Sequence, residues 1–281
     1  MQDSVDQIAQ FFFEHRHIVV LTGAGISARS GIPTYRDRDG VWRSSTPIQH
    51  QDFISRVQHR ERYWYRSYAG WPAIRDARPN TCHLALTRLE AVGSVPLLVT
   101  QNVDRLHQRA GTQQVVDLHG RLDQIRCLAC GDISDREIMQ RRLEQMNRHW
   151  ISGAHYRPQP DGDAELELSN TPVALPSCLQ CDGVLMPNVV FFGGNVPKER
   201  VERTREALHQ SDALLCFGTS LRVYSGFRFV KEAKRLGKPV AIITEGVTRA
   251  DTLADLKVSR HAAESFVTAI DQFIDTKRRI A

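Results

Sequence analysis

Short apolar runs that each stop at a glycine or a polar turn restrict this chain more than any other feature. Ile18-Val19-Val20-Leu21, Val95-Pro96-Leu97-Leu98-Val99 and Val115-Val116 are three of them, and residues 186–192, 213–217 and 240–243 continue the series. Apolar at consecutive rather than alternate positions, such runs read as strands buried on both faces. Helical patterns fall between them at residues 80–91, 103–109, 197–209, 226–236 and 265–277. Asn80 or Thr81 caps the first helix, and Gly93, Gly111 and Gly237 stand just past the ends of three. Strands separated by helices of this length predict an α/β fold, one parallel sheet with helices on both faces.

Two segments break the rhythm. Residues 35–77 are rich in Arg, Gln and aromatics and read as short helices and loop. Residues 121–185 hold two Cys-x-x-Cys pairs, with the polar stretch 156–163 between them. Both read as insertions. The division is then a discontinuous sheet domain of residues 1–34, 78–120 and 186–281, a helical module at 35–77 and a small domain at 121–185. With 281 residues, 41% hydrophobic and 25% charged, the chain buries an ample core and has an ordinary globular balance. A formal charge of +5 and a pI near 9.0 would help attract an acidic substrate. The basic clusters are too short and scattered for a nucleic-acid groove. No apolar run approaches membrane-spanning length. The acidic start Met1-Gln2-Asp3-Ser4-Val5-Asp6 leads into an amphipathic helix, unlike a signal or transit peptide. A cytoplasmic location is expected, or the mitochondrial matrix if a targeting segment has been removed.

In an open parallel sheet, ligands bind where the strands stop. Gly23-Ala24-Gly25-Ile26-Ser27-Ala28 follows the first strand and fits the Gly-x-Gly-x-x-Ala dinucleotide turn, whose glycines let the backbone approach a pyrophosphate. A plain tight turn is the alternative. A dehydrogenase would place an acidic residue at the end of its second strand, about 20 residues on. Here Gly31-Ile32-Pro33-Thr34-Tyr35-Arg36-Asp37-Arg38-Asp39-Gly40 is a turn-rich loop with no strand before it. That counts against hydride transfer and suits a mobile cover over a cofactor that is cleaved.

Thr100-Gln101-Asn102-Val103-Asp104 and Leu118-His119-Gly120 end the next two strands. An amide pair, a carboxylate and a histidine placed there have the chemistry to orient a sugar, hold a carboxamide and move a proton. The histidine pKa range suits a general base near neutral pH. Asn102 and Asp104 equally suit a helix N-terminus. Cys127-Leu128-Ala129-Cys130 and Cys178-Leu179-Gln180-Cys181 read as two knuckles converging on one tetrahedral zinc, with no position left open for chemistry. In a cytosolic chain such pairs point to metal rather than disulfides. Cys82 and Cys216 read as buried thiols.

Together with Tyr35-Arg36, these clusters resemble, in order and over nearly the whole chain, the sirtuins, the NAD-dependent protein deacylases. The resemblance implies a Rossmann-like sheet domain plus a small zinc-binding domain, NAD and one structural Zn2+ as cofactors, and acyl-lysine proteins as partners, with neither nucleic acid nor membrane involved. It implies that the acyl-lysine carbonyl oxygen attacks the nicotinamide-bearing carbon, that nicotinamide leaves, and that His119 activates a ribose hydroxyl to receive the acyl group. His119, Asn102 and Asp104 are the catalytic candidates. Gln101 and Asn102 would hold the ribose and a water, and Asp104 the carboxamide. Further cofactor contacts fall on Gly23, Ala24, Gly25, Ser27, Tyr35 and Arg36, and on the second turn Gly218-Thr219-Ser220. Thr244, Glu245, Gly246 and Ala262 complete the cofactor set.

Asn188-Val189-Val190-Phe191-Phe192-Gly193-Gly194 matches the family segment that pairs with the substrate peptide by strand addition, so Val189, Val190, Phe191 and Gly193 are substrate candidates. Thr34 and Thr244 stand where the family usually has Asp and Asn, Gly194 replaces an acidic residue, and Ala262 replaces a cysteine of many relatives. The Tyr63-x-x-Arg66 spacing resembles sirtuins that remove succinyl, malonyl or glutaryl groups, with Arg66 offering a planar fork to a carboxylate. An ordinary helix surface is the alternative. Pro47-Ile48-Gln49-His50, Gly70-Trp71-Pro72 and Pro79-Asn80 look most like the mitochondrial class II sirtuins and their bacterial relatives. Two other readings remain: a mono-ADP-ribosyltransferase, and a module that binds NAD or ADP-ribose without turnover.

Overall fold

The computed structural model describes residues 1–37, 39, 41, 48–148, 157–158, 164–165 and 173–280. Pro47, Arg38, Gly40 and most of the polar stretch 156–163 lie outside the described residues. Helix α1 (Gln2–Glu14) leads into strand β1 (Ile18–Thr22), a 3-10 turn (Ala24–Ser30) and helices α2 (His50–Ser55) and α3 (Val57–Asp76). Then come α4 (Thr81–Ala91), β2 (Leu98–Thr100), α5 (Leu106–Arg109) and β3 (Val115–Asp117). The next stretch holds β4 (Gly120–Cys127), β5 (Ile133–Asp135), α6 (Arg136–Met146), β6 (Arg157–Pro158), β7 (Ala164–Glu165) and β8 (Leu185–Val189). The chain continues through α7 (Lys198–Gln210), β9 (Ala213–Phe217), α8 (Tyr224–Arg235), β10 (Val240–Ile243), β11 (Leu256–Val258) and α9 (Ala262–Ile280).

Six strands form one parallel sheet in the order β11-β10-β9-β1-β2-β3. Every residue of β1 is buried, because successive side chains feed two separate cores. Ile18 and Val20 join α1, α4 and α9 through Phe12, Leu86 and Phe266. Val19 and Leu21 join α7 and α8 through Leu208, Phe229 and Val230. Full burial of each such side chain contributes about 1.5–3 kcal/mol. The chain runs from β1 outward to β3, then returns to β9 on the other side of β1. The crevice between the ends of β1 and β9 is therefore the topological switch point, where doubly wound sheets take their ligands.

The run expected at 186–192 does not rejoin this sheet. Leu185–Val189 pairs antiparallel with β4, which pairs antiparallel with β5, in a separate small sheet. Residues 35–77, expected as short helices and loop, include the 20-residue α3, which continues through Pro72. Tyr63 and Trp64 anchor its first half against Ile125, Met139 and Met186, and Trp71 and Ile74 anchor its second against Leu106 and Leu122. Burial on both sides compensates for the donor that Pro72 lacks. Among the described residues no helix is long and apolar enough to cross a membrane.

Candidate active site

The floor of the site is two glycine turns locked together at the switch point. Gly25 N donates to Gly218 O at 2.8 Å and Gly23 N to Phe217 O at 3.2 Å. A Cβ on Gly25 would lie 2.8 Å from Gly218 O, and one on Gly218 would lie 2.5 Å from Ile26 N. Gly218 also sits at φ +62, the left-handed region open to glycine. The glycines therefore serve the packing of one turn on the other as well as any approach to a phosphate. Asn80 braces this floor from α4, donating to Ile26 O at 2.8 Å and to Ser30 Oγ at 2.9 Å while its own Oδ1 caps Cys82 N.

Polar side chains from the end of β2 tie both turns together. Gln101 Nε2 donates to Thr219 Oγ1 at 2.8 Å and to Thr22 O at 3.2 Å. Asn102 Nδ2 donates to Gly23 O at 3.1 Å and Ser27 Oγ at 3.0 Å. Ser27 in turn donates to Asp104 Oδ2 at 2.7 Å, and Leu106 N donates to Asp104 Oδ1 at 2.9 Å. Asp104 is thus also the donor-satisfying residue at the start of α5. Burial raises its carboxyl pKa against the lowering effect of those two hydrogen bonds.

His119 stands where the chain passes from the large sheet to the small one. Leu118 N donates to Thr100 O at 2.8 Å and Val190 N to His119 O at 2.7 Å, so the joint is pinned on both sides. Gly120 makes the turn at φ +88, and a Cβ there would meet Asn188 O at 2.2 Å. The imidazole Nδ1 lies 3.0 Å from Gln101 O and Nε2 lies 2.7 Å from Ser225 Oγ. A carbonyl oxygen only accepts, so Nδ1 carries the proton. Burial, aided by the charges of Arg200 and Arg228 and opposed by the Gln101 contact, pushes the His119 pKa down to about 4. At neutral pH the ring is neutral, with the Nε2 lone pair facing Ser225.

Part of this network lines a cleft of about 420 Å3. Gly23, Ala24, Gly25, Gln101, Asn102 and His119 lie on its floor. Tyr35 and Arg36 line it from the loop after the 3-10 turn, with the Tyr35 ring edge-on to Phe192 at 6.3 Å. Gly218, Thr219, Ser220, Thr244 and Glu245 line it from the ends of β9 and β10. Val189, Val190, Phe191 and Gly193 form another wall, where the Tyr63 ring meets Phe191 at 5.1 Å.

Five expected site residues do not line this cleft. Ser27 and Asp104 are buried beneath it, bonded to each other. Gly246 O accepts from Lys257 Nζ at 3.2 Å, and Ala262 is packed in the core at the start of α9. Arg66 is 5% exposed on the buried face of α3. The sequence reading missed five cleft residues just beyond the β9 turn: Arg222, Val223, Tyr224, Ser225 and Arg228. Their only signal was position, since they fall between a strand-ending turn and the first turns of a helix that otherwise reads as amphipathic.

The four knuckle cysteines converge as expected. Their Sγ atoms all lie within 4.8 Å of one another, with Cys127 to Cys181 at 3.6 Å and Cys130 to Cys178 at 3.8 Å. Tetrahedral zinc with thiolates at about 2.3 Å requires sulfurs about 3.8 Å apart, so the set fits the ion. Backbone N–H groups, that of Cys130 foremost, hold the Cys127 thiol down to about 6. Gly183 makes room for the site: a Cβ there would stand 2.8 Å from Cys127 Sγ.

Fold and site together define a dinucleotide-type parallel sheet with a half-buried histidine at its crevice and a separate cluster of four cysteines placed to hold a metal ion. The model of the Sir2 family matches residues 23–225. A protein of Xanthomonas campestris pv. campestris named NAD-dependent protein deacetylase is 49% identical over 259 residues, covering 92% of this chain and 88% of that one. The NAD-dependent protein lipoamidase sirtuin-4, mitochondrial, of Bos taurus is 40% identical over 266 residues, covering 93% and 84%. A solved structure of Sir2 with a p53 peptide and NAD+ aligns with a TM-score of 0.76 at 28% identity, covering 98% of both chains. A Sir2 homologue in complex with ADP-ribose aligns at 0.78, with 28% identity over 97% and 98%. This chain belongs to the Sir2 family.

Proposed function

We propose that this protein is an NAD-dependent protein lysine deacylase, moving the acyl group of acyl-lysine to ADP-ribose with release of nicotinamide. The observation that carries the proposal is the neutral His119 with its Nε2 lone pair turned into a cleft floored by two locked glycine turns. NAD bound on those turns supplies an electrophilic ribose carbon and nicotinamide as leaving group. Gly23, Ala24, Gly25 and the Gly218-Thr219-Ser220 turn hold the pyrophosphate and its flanks, with Tyr35 and Arg36 covering it. Thr244 and Glu245 face the adenosine end. Gln101 and Asn102 position the ribose, and His119 takes a hydroxyl proton. Asp104 and Ser27 act from beneath, fixing Asn102 and the first turn.

Val189, Val190, Phe191 and Gly193 offer one wall to an extended acyl-peptide. The aromatic pair Tyr63 and Phe191 bounds the acyl group. Zinc at Cys127, Cys130, Cys178 and Cys181 is structural, because four thiolates fill its coordination. The sheet domain of 1–34, 78–120 and 186–281, the helical module at 35–77 and the zinc-binding domain at 121–185 carry these roles, except that Leu185–Val189 belongs with the small sheet through its pairing with β4. Proteins, rather than nucleic acids, are the partners, and the cytoplasm is the location. Incubating a panel of acylated peptides with NAD and reading products by mass spectrometry tests the assignment. Acyl-ADP-ribose and free lysine peptide support it; ADP-ribose attached to protein, with the acyl-lysine untouched, would replace it with ADP-ribosyl transfer.

A further inference from the structure

The Nε2 atom on which the proposed chemistry turns already has a partner within the protein. Ser225 Oγ stands 2.7 Å from it, in the first turn of α8, and both residues line the cleft. Because Nδ1 donates to Gln101 O, Nε2 is the acceptor and the Ser225 hydroxyl must be the donor. Neutral imidazole has one lone pair at that nitrogen, so Ser225 holds the place a substrate hydroxyl would need. Gly226, next to Ser225, packs so closely on Gln101 that a Cβ would lie 2.8 Å from Gln101 Oε1, and Gln101 is itself bonded to Thr219 and Thr22. Helix α8 is thereby docked on the unit that orients the histidine.

We infer that Ser225 is a catalytic residue, a hydroxyl relay through which His119 draws the proton from the ribose. The inference rests on the deacylase reading. A serine hydroxyl donates and accepts at the same time, so Ser225 can keep its bond to Nε2 while its oxygen accepts from the ribose hydroxyl. The ribose O–H bond breaks as its proton passes to Ser225 Oγ, and the original Oγ–H proton passes to Nε2. Serine ends as the neutral hydroxyl it began as, the positive charge rests on the imidazole, and the freed electron pair on the ribose oxygen attacks the acyl carbon. Direct contact between ribose and His119 would instead require Ser225 to give up its bond to Nε2.

The test compares wild type with Ser225→Ala and Ser225→Thr. Three quantities are read: exchange of labelled nicotinamide into NAD, formation of acyl-ADP-ribose with its dependence on the fraction of D2O, and the 15N shift of His119 Nε2 without NAD. A relay predicts that Ser225→Ala slows acyl transfer about a hundred-fold, the low end of the range for positioned proton-transfer groups. Nicotinamide exchange should stay within about two-fold, since that step precedes base catalysis. Ser225→Thr should restore most of the rate. Wild type should show the curved D2O dependence of two protons in flight, and Ser225→Ala a linear one. The 15N signal should move toward that of an unbonded lone pair in Ser225→Ala alone. Acyl transfer in Ser225→Ala as fast as wild type, or Ser225→Thr as slow as Ser225→Ala, would overturn the relay, as would an unchanged 15N shift. Absence of nicotinamide exchange in wild type would instead remove the deacylase reading, and the relay with it.

Discussion

Gly218→Ala should separate the site from the fold, because Gly218 is constrained in two ways. Its φ of +62 makes any L side chain pay the left-handed penalty, about 1–2 kcal/mol. The added Cβ would also stand 2.5 Å from Ile26 N and 2.9 Å from Gly25 C. Both are backbone atoms, so no rotamer change relieves the overlap and the two turns must move apart. Overpacking of this kind costs a further ~1–3 kcal/mol. Gly93→Ala is the control, with φ +74 but nothing within 4 Å of the added atom. Urea unfolding should show a loss of about 1–2 kcal/mol for Gly93→Ala and of about 2–5 kcal/mol for Gly218→Ala. Calorimetric titration should find NAD affinity unchanged in the first and weakened at least about ten-fold in the second, a loss of ~1.4 kcal/mol. If Gly218→Ala bound NAD as wild type does and lost no more stability than Gly93→Ala, the interlocked turns would not be the cofactor site.

Other outcomes follow from the same geometry. Fresh reduced protein should contain one zinc per chain, and Cys178→Ser should lower both zinc content and thermal midpoint; protein without zinc that unfolds at the same temperature would refute the structural site. Burial holds the His119 pKa near 4, so its protonated, inactive form accumulates only as pH falls toward that value. The acid limb of kcat/KM should therefore lie well below pH 6, and a midpoint near an ordinary histidine's 6.5 would contradict the half-buried neutral base. Arg66, buried on α3 and not among the cleft-lining residues, should act on all acyl groups alike. Arg66→Met is expected to lower activity on acetyl- and glutaryl-lysine by similar factors, and a loss confined to glutaryl-lysine would return Arg66 to the acyl pocket.

Much of this molecule could be read before its structure. The apolar runs at β1, β9 and β10 are buried on both sides, and that environment writes itself directly into sequence. The cysteine knuckles are equally legible, because four ligands to one ion need fixed local spacing. The partner of a strand is another matter. The run at 186–192 announces a strand, yet nothing in it distinguishes a seventh parallel member from the edge of an antiparallel sheet, since β8 is also buried at its start. Helix α3 hid because Pro72 and Gly70 argue locally for a break, whereas Trp64 and Trp71 hold it from two different clusters. Ser225 was invisible for a simpler reason. A serine in a helix's first turn is ordinary until a histidine 106 residues away is found 2.7 Å from it.

The most direct test of the account is the reaction of an acetylated or lipoylated peptide with NAD in wild type and His119→Ala, following nicotinamide, the acylated ADP-ribose and NAD binding together. The account predicts equal amounts of nicotinamide and acyl-ADP-ribose in wild type. His119→Ala should bind NAD normally and lose acyl transfer by about 10²–10⁴-fold. Acyl transfer by His119→Ala within a few-fold of wild type, or no acyl-ADP-ribose from wild type with any acylated peptide, would contradict it.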